Sequence, residues 1–236
     1  MKVRVKFRKY GPVRFIGHLD VMRFFQKAIR RAGLDIAYSA GFSPHQIMSF
    51  AAPLGVGLES NGEYMDIELN SVTTSQDMIQ RFNDASVYGI EIVSVKELPE
   101  GAGNAMASVA AASYTIRFRE GREPEIDYPS LFPVFCQKES IVIQKETKKN
   151  TLEIDLKPGI FDFRVDDDKS IYLMVDASSS GNIKPSQILE AFAAEYGVTL
   201  VENAYTVTRE DTYTNVARKN RKPKYVPLDA IGNDIV

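Results

Sequence analysis

The chain contains two histidines, the side chains that most readily exchange protons near neutral pH. His18 lies in the stretch IGHLD and His45 in GFSPHQ, and both stretches contain residues typical of turns. Two histidines at one site can act as a general acid and a general base. Each also has a structural interpretation, because His18 can begin a helix and His45 can shape a loop.

Metal and cofactor chemistry finds little support in the sequence. A metal site usually has three or four protein ligands, and no cluster of Asp, Glu or Cys accompanies the histidines. The single Cys136 excludes an internal disulfide and a cysteine-ligated iron–sulfur cluster built from this chain alone. The chain has no glycine-rich nucleotide motif and no hydrolase nucleophile motif. We therefore predict no bound metal and no cofactor.

Basic residues form a stripe on the first predicted helix. Arg23, Lys27, Arg30 and Arg31 have the spacing i, i+4, i+7 and i+8, opposite the apolar face. Such a cluster can bind phosphates, since Lys and Arg displace counterions and Arg can bind in a bidentate manner. With Arg14 they are the candidate nucleic-acid-binding residues. The alternative is an ordinary solvated helix face whose last two arginines complement the helix dipole.

The charge distribution also bears on partners. The net charge is −2 with a pI of about 5.8, which favours an adaptor without nucleic-acid contact. However, residues 1–31 contain ten basic residues against one acid, Asp20. Segregated positive charge can present a basic face on an acidic protein. The N-terminal stretch has no long apolar run, and no stretch approaches the ~20 apolar residues of a membrane helix, so a cytoplasmic location is predicted.

Hydrophobic periodicity gives the first half of the chain the order β-α-β-β-α-β. Alternation predicts a strand near residues 3–8, and the apolar stripe predicts a helix over 18–32. LDIAYS is predicted to be the second strand, and a long Gly- and Pro-rich loop follows it. EYMDIELN, SQDMIQRFNDAS and IEIVSVKEL are predicted to be a strand, a helix and a strand. This order is that of a ferredoxin-like domain.

The second half repeats the order with an added hairpin near residues 157–168. The predicted class is therefore α+β, with two ferredoxin-like domains and antiparallel sheets. The domain limits are 1–98 and 113–208, joined by a linker over 99–112, and a basic tail over 209–236 is expected to be extended or disordered. In such a topology the first helix begins at the same sheet edge as the loop between strands two and three. His18 and His45 are therefore predicted to lie at one edge.

The N-terminal stretches HLD, RRAGL, YSAGFSPH and PLGVGLES carry a family resemblance. Residues 1 to about 100 resemble the radical-SAM-linked family, a bacterial domain of unknown function that occurs alone or fused behind a radical-SAM enzyme. The resemblance implies a radical-SAM enzyme as a partner. This chain lacks the three-cysteine motif of such an enzyme, so that chemistry would reside on the partner.

The same segment more distantly resembles the CRISPR repeat-processing endoribonucleases of the RAMP superfamily, which have paired ferredoxin-like domains and cleave RNA without metal. This resemblance implies His18 as general acid or base, Tyr38 or His45 as an assisting group, and Arg23 or Lys27 at the phosphate. The sequence lacks the C-terminal glycine-rich loop of those enzymes.

Three functions remain open from the sequence. The first is an RNA-binding or RNA-modification accessory that acts with a radical-SAM enzyme on tRNA or ribosomal RNA and has no activity alone. The second is a metal-independent endoribonuclease that uses His18. The third is a protein-interaction adaptor.

Overall fold

The computed structural model describes residues 1–146, 151–218 and 220–236. The protein is a mixed α/β protein with antiparallel strand pairs, and its described residues include five α-helices. In chain order the strands and helices are β1 (Lys2–Lys9), α1 (His18–Arg31), β2 (Met48–Phe50), β3 (Glu59–Glu68), α2 (Ser75–Asp84), β4 (Ile90–Glu97), α3 (Ala105–Ser108), β5 (Ala111–Phe118), α4 (Tyr128–Cys136), β6 (Val142–Glu146), β7 (Thr151–Asp155), β8 (Ile160–Val165), β9 (Ile171–Asp176), α5 (Pro185–Glu195), β10 (Tyr205–Asn215) and β11 (Tyr225–Pro227).

The chain divides into two compact units. The first unit contains residues 1–110 and 209–236, and the second contains residues 111–208. The C-terminal residues, for which the sequence predicts a separate tail, are thus grouped with the N-terminal half. They include β11 and a short 3-10 helix whose Leu228 is fully buried. Among the described residues no helix is long and apolar enough to cross a membrane.

The first unit packs its two long helices on one face of a sheet. In this sheet β1 lies between β4 and β3, and β2 pairs with β3. Val3, Val5 and Phe7 alternate along β1 and are buried, as the period of two predicts. The Phe7 ring packs edge-on against Phe25 of α1, with ring centroids 4.7 Å apart. Helix α1 therefore occupies the place that its apolar stripe predicts.

The second strand differs from the prediction. Residues 34–39 form only isolated bridges, from Ile36 to Leu69 and from Tyr38 to Gln46. The strand beside β3 is β2, which lies in the stretch predicted to be a loop. Phe50 explains this choice, because its ring packs against Phe25 in the core, with centroids 5.8 Å apart. The prediction of a strand over 34–39 is wrong because tertiary packing, rather than local β propensity, decides this pairing.

The basic residues of β1 are paired with acids of their own unit. Arg4 is fully buried and forms a bidentate ion pair with Asp66, its cross-strand neighbour on β3. Lys6 and Arg8 lie 2.7 and 3.0 Å from carboxylate oxygens of other strands. Arg4 and Lys6 are therefore neutralised within the unit, whereas the Arg8–Glu91 pair is partly exposed.

The C-terminal segment covers the sheet face opposite α1 and α2. Arg4 donates to the carbonyl of Leu228 at 3.0 Å, and the Tyr64 hydroxyl donates to carboxylates of Asp211 and Asp229 at 2.6 and 3.2 Å. Burial, together with the two carboxylates, raises the pKa of Tyr64 well above its ordinary value. Tyr64 therefore stays a hydrogen-bond donor that holds this segment on the sheet.

The second unit contains its own hydrophobic core and its own run of paired strands. Strand β9 lies between β5 and β8, and the buried side chains of α4 and α5 pack together through Phe132 and Phe192, whose ring centroids are 5.4 Å apart. Strands β6 and β7 form a separate two-stranded hairpin. The hairpin predicted near residues 157–168 is therefore not an added element, because β8 pairs with β9 in the sheet. The separate hairpin lies earlier in the chain and consists of β6 and β7.

Cys136 gives a first testable consequence of this core. Its thiol is fully buried at the end of α4, and burial raises its pKa to about 12. We expect Cys136 to react with a thiol reagent at neutral pH only as fast as the unit opens. Between about pH 9 and 12 the unfolded thiol loses its proton while the folded one keeps it, so stability falls as pH rises. Unfolding curves of the parent and Cys136→Ala should show a shallower alkaline decline for the variant, and equal slopes would contradict this.

Candidate functional site

His18 is the first residue of α1 and lines a small cavity of the first unit. Its ring lies edge-on to the Phe50 ring, with centroids 5.1 Å apart. The open volume of the cavity is about 10 Å³, which is enough for one water molecule. The lining residues are Phe7, Lys9, His18, Val21, Phe50, Ala52, Leu54 and Glu63.

Charged groups lie in the wall of this cavity. Lys9 is buried, and its ammonium group donates to the carbonyls of Arg14 and Ile16 in the connection that leads to α1. Burial lowers the pKa of Lys9, an effect that Glu63 opposes and Arg209 reinforces. Glu63 accepts a 2.8 Å bond from Arg209. Lys9, Glu63 and Arg209 are thus a buried charged group close to His18.

The sequence carries a signal for two members of this group. Lys9 is in phase with Val5 and Phe7 along β1, and Glu63 is in phase with Met65 and Ile67 along β3. A charged residue in the inward-facing phase is expensive to bury unless it is paired. The alternation therefore marks Lys9 and Glu63 as special positions, whereas nothing local marks Arg209.

The cavity does not have the form of a working nuclease site. A general acid or base must come within hydrogen-bond reach of the proton that it transfers. A space for one water admits no phosphodiester, and one side of His18 is occupied by Phe50. The carbonyl contacts of Lys9 instead fix the connection between β1 and α1. In this arrangement the charged group stabilises the turn that positions α1.

His45 lies in a different environment. Its Nδ1 is 2.8 Å from the hydroxyl of Ser39, and the Ser39 amide donates to the His45 carbonyl. The loop that contains them is attached to α1 because the Gln46 side chain donates through Nε2 to the backbone carbonyl of Gln26 at 3.2 Å. Gln26 follows His18 by eight residues, or about 12 Å of helix. Tyr38 and His45 thus lie in one loop, and their convergence with His18 at one sheet edge stays a prediction.

The candidate basic residues fall into two groups. Arg23, Lys27 and Arg30 are exposed on α1. Arg23 pairs with Asp20 at 3.2 Å, but both side chains are more than half exposed, so this pair contributes little and leaves Arg23 accessible. Lys27 forms no ion pair within the described part of the chain. These three residues are the available part of the predicted stripe.

Arg14 and Arg31 have partners outside α1, whereas Arg30 donates to the Gln26 carbonyl of its own helix at 3.2 Å. Arg14 forms an ion pair with Glu59 at 3.1 Å, and its guanidinium lies over the Phe15 ring. Arg31 donates twice to the carbonyl of Ala85 at the end of α2. Arg81 of α2 donates in turn to carbonyls at the end of α1. Because carbonyls at helix ends lack intrahelical partners, Arg31 has a structural role here.

The loop that contains Tyr38, already a candidate from the sequence, also contains Phe42, a functional candidate that the sequence reasoning missed. Phe42 is fully exposed, and Tyr38 is 51% exposed in the same loop. An exposed phenylalanine in a glycine-flanked loop has no packing role to explain it. The signal in the sequence is GFSPH itself, where an aromatic residue lies within a turn. Loop 38–46 and the residues Arg23, Lys27 and Arg30 are called the α1 surface below.

No group of three or more His, Cys, Asp or Glu side chains suited to a metal ion occurs in the residues that the structure describes. The fold defines a mixed α/β protein with antiparallel sheets, and the α1 surface is an exposed feature that is both basic and aromatic. Residues 2–185 match the model of a family described as an uncharacterized protein conserved in bacteria (DUF2344). The chain belongs to this family.

Two other comparisons add little. No curated protein matches the chain. A solved structure, the crystal structure of an unknown protein from Galdieria sulphuraria, is similar at 9% identity with a TM-score of 0.27, over 88% of this chain and 97% of that one. At this TM-score the similarity supports no conclusion about fold or function.

Proposed function

We propose that the chain binds single-stranded RNA through the α1 surface and acts as an RNA-binding accessory. The observation that carries the proposal is the attachment of the Phe42 loop to α1 beside exposed basic residues. Proteins that bind single strands combine positive charge along the backbone with aromatic rings on which bases stack. Arg23, Lys27 and Arg30 supply the first, and Phe42 and Tyr38 supply the second.

The finer parts of the proposal rest on sequence. The radical-SAM enzyme as partner, and tRNA or ribosomal RNA as target, follow from the family resemblance. The single cysteine is consistent with cluster chemistry on a partner. The assignment of two ferredoxin-like domains is likewise a proposal, which the element order of the first unit supports. The cavity at His18, with a volume of about 10 Å³, has no room for a phosphodiester and so does not favour the endoribonuclease alternative.

The test is binding of an unstructured, fluorescently labelled RNA of about 20 nucleotides, measured by anisotropy at several salt concentrations. We expect a steep loss of affinity with salt. Phe42→Ala should weaken binding by roughly 5- to 150-fold, because stacking is worth about 1–3 kcal/mol per base. The matched control is Tyr88→Ala, which removes another exposed aromatic ring of the first unit.

Two outcomes would contradict the proposal. Absence of binding at low salt would favour the protein-interaction adaptor. Equal losses for the Phe42 and Tyr88 variants would show that the loop has no particular role.

A further inference from the structure

Strand β6 in the second unit has a backbone edge that no described strand covers. It pairs only with β7, in the register Val142 to Asp155. The amide of Leu156 donates to the carbonyl of Ile141, so hydrogen-bonded pairs recur from residue 141 at every second position. The N–H and C=O groups of Val142 and Gln144 therefore point away from β7. An open edge of this kind is a template for another strand.

A groove lies between β6 and helix α5. Its volume is about 500 Å³, which falls within the range of ligand-binding clefts. Ala191 and Ala194 form part of the α5 wall, and their small side chains leave depth above Phe135. The groove thus combines an apolar floor with strand β6, whose outward-facing backbone groups pair with no described strand.

The charges of the groove favour a basic occupant. Glu190 and Glu195 lie on the α5 wall. Glu195 is paired with Lys138 at 2.7 Å, whereas Glu190 is exposed and forms no ion pair within the described residues. One carboxylate therefore remains unneutralised beside the groove. A lysine or arginine of a bound segment can pair with it.

We propose that this groove binds an extended peptide segment of a partner protein, which adds to β6 as a further strand. Backbone hydrogen bonds to Val142 and Gln144 supply affinity, and alternate side chains of the segment enter the groove. The favoured segment carries a small apolar side chain over Phe135 and Ala191 and a basic side chain toward Glu190. The proposal is independent of RNA binding, because it concerns the second unit alone.

The experiment uses the full chain and a labelled peptide of about nine residues in which valine and lysine alternate, long enough for one strand. The control peptide has the same sequence, but its alternate backbone amides are N-methylated. It keeps the charge of the first peptide and lacks the N–H donors that pair with a strand. We expect binding in the micromolar range for the first peptide and at least about tenfold weaker binding for the second.

Two protein variants locate the binding. Ala191→Phe fills the groove and should abolish binding of the unmethylated peptide. Val134→Phe enlarges an exposed side chain of α4 outside the groove and should leave binding unchanged. Equal binding of the two peptides, or equal effects of the two variants, would overturn the proposal. A concentration-dependent dimer that Ala191→Phe dissociates would also overturn it, by identifying a second copy as the occupant.

Discussion

Replacing Asp66 with alanine is expected to lower the free energy of unfolding by about 3–5 kcal/mol, because the change leaves a buried charge unpaired. Asp66 accepts from Arg4 at 2.7 and 3.0 Å and from the amide of Ala105 at 2.7 Å. Arg4 is fully buried, so the variant leaves its guanidinium without a carboxylate in a site that water cannot reach. Chemical denaturation of the parent and the variant measures the difference.

The matched control is an exposed ion pair of the same sheet. Arg8 and Glu91 form an ion pair of 3.0 Å, but their side chains are more than 40% exposed. Solvent screens such a pair, so Glu91→Ala should cost less than about 1 kcal/mol. The double variant Arg4→Met with Asp66→Ala should be less destabilised than the sum of the single changes, because it removes the unpaired charge. Similar losses for Asp66→Ala and Glu91→Ala would show that burial does not set the value of the Arg4 pair.

Patterns with a strong period are sufficient to predict the local elements. Val3, Val5 and Phe7 define β1, and Phe25 and Ile29 belong to the buried face of α1. These residues carry their own burial signal, since one face of each element must be apolar to pack. The exposed part of the basic stripe follows from the same helical period.

Strand pairing and the course of long loops are not predicted from local patterns, because residues distant in sequence determine them. Local propensity favours residues 34–39 as a strand, yet Phe50 places β2 later in the chain. The loop that precedes β2 is attached to α1 through the Gln46 side chain and the carbonyl of Gln26, eight residues after His18. A topological argument fixes which connections share a sheet edge, but it does not fix the course of a long connection.

The surface charge of the N-terminal region also depends on residues that are distant in sequence. The composition of residues 1–31 predicts a basic face, but their partners Asp66 and Asp211 lie far along the chain. Pairing of this kind depends on which strands become neighbours. The residues that project from α1, away from the strands, keep the character that the composition suggests.

Reversing two charges on α1 is expected to have the largest effect on RNA binding. The variant Arg23→Glu with Lys27→Glu should weaken binding of the single-stranded RNA by at least about tenfold. It should also reduce the slope of log affinity against log salt by about one for each phosphate that the protein no longer binds. Both residues are exposed, so each change should alter stability by less than about 0.5 kcal/mol. Arg30 and Arg31 are less suitable, because acids there oppose the helix dipole.

The matched control changes the net charge by the same amount elsewhere. Arg117 pairs with Asp168 at 3.2 Å, the same distance as Arg23 with Asp20, and Arg119 is exposed nearby in sequence. If the α1 surface holds the RNA backbone, Arg117→Glu with Arg119→Glu should keep most of the affinity and nearly the parental salt slope. Equal losses of affinity for the two double variants would mean that RNA binding depends only on the net charge of the protein. In that case the basic stripe is a solvated helix face, and the adaptor function becomes the better interpretation.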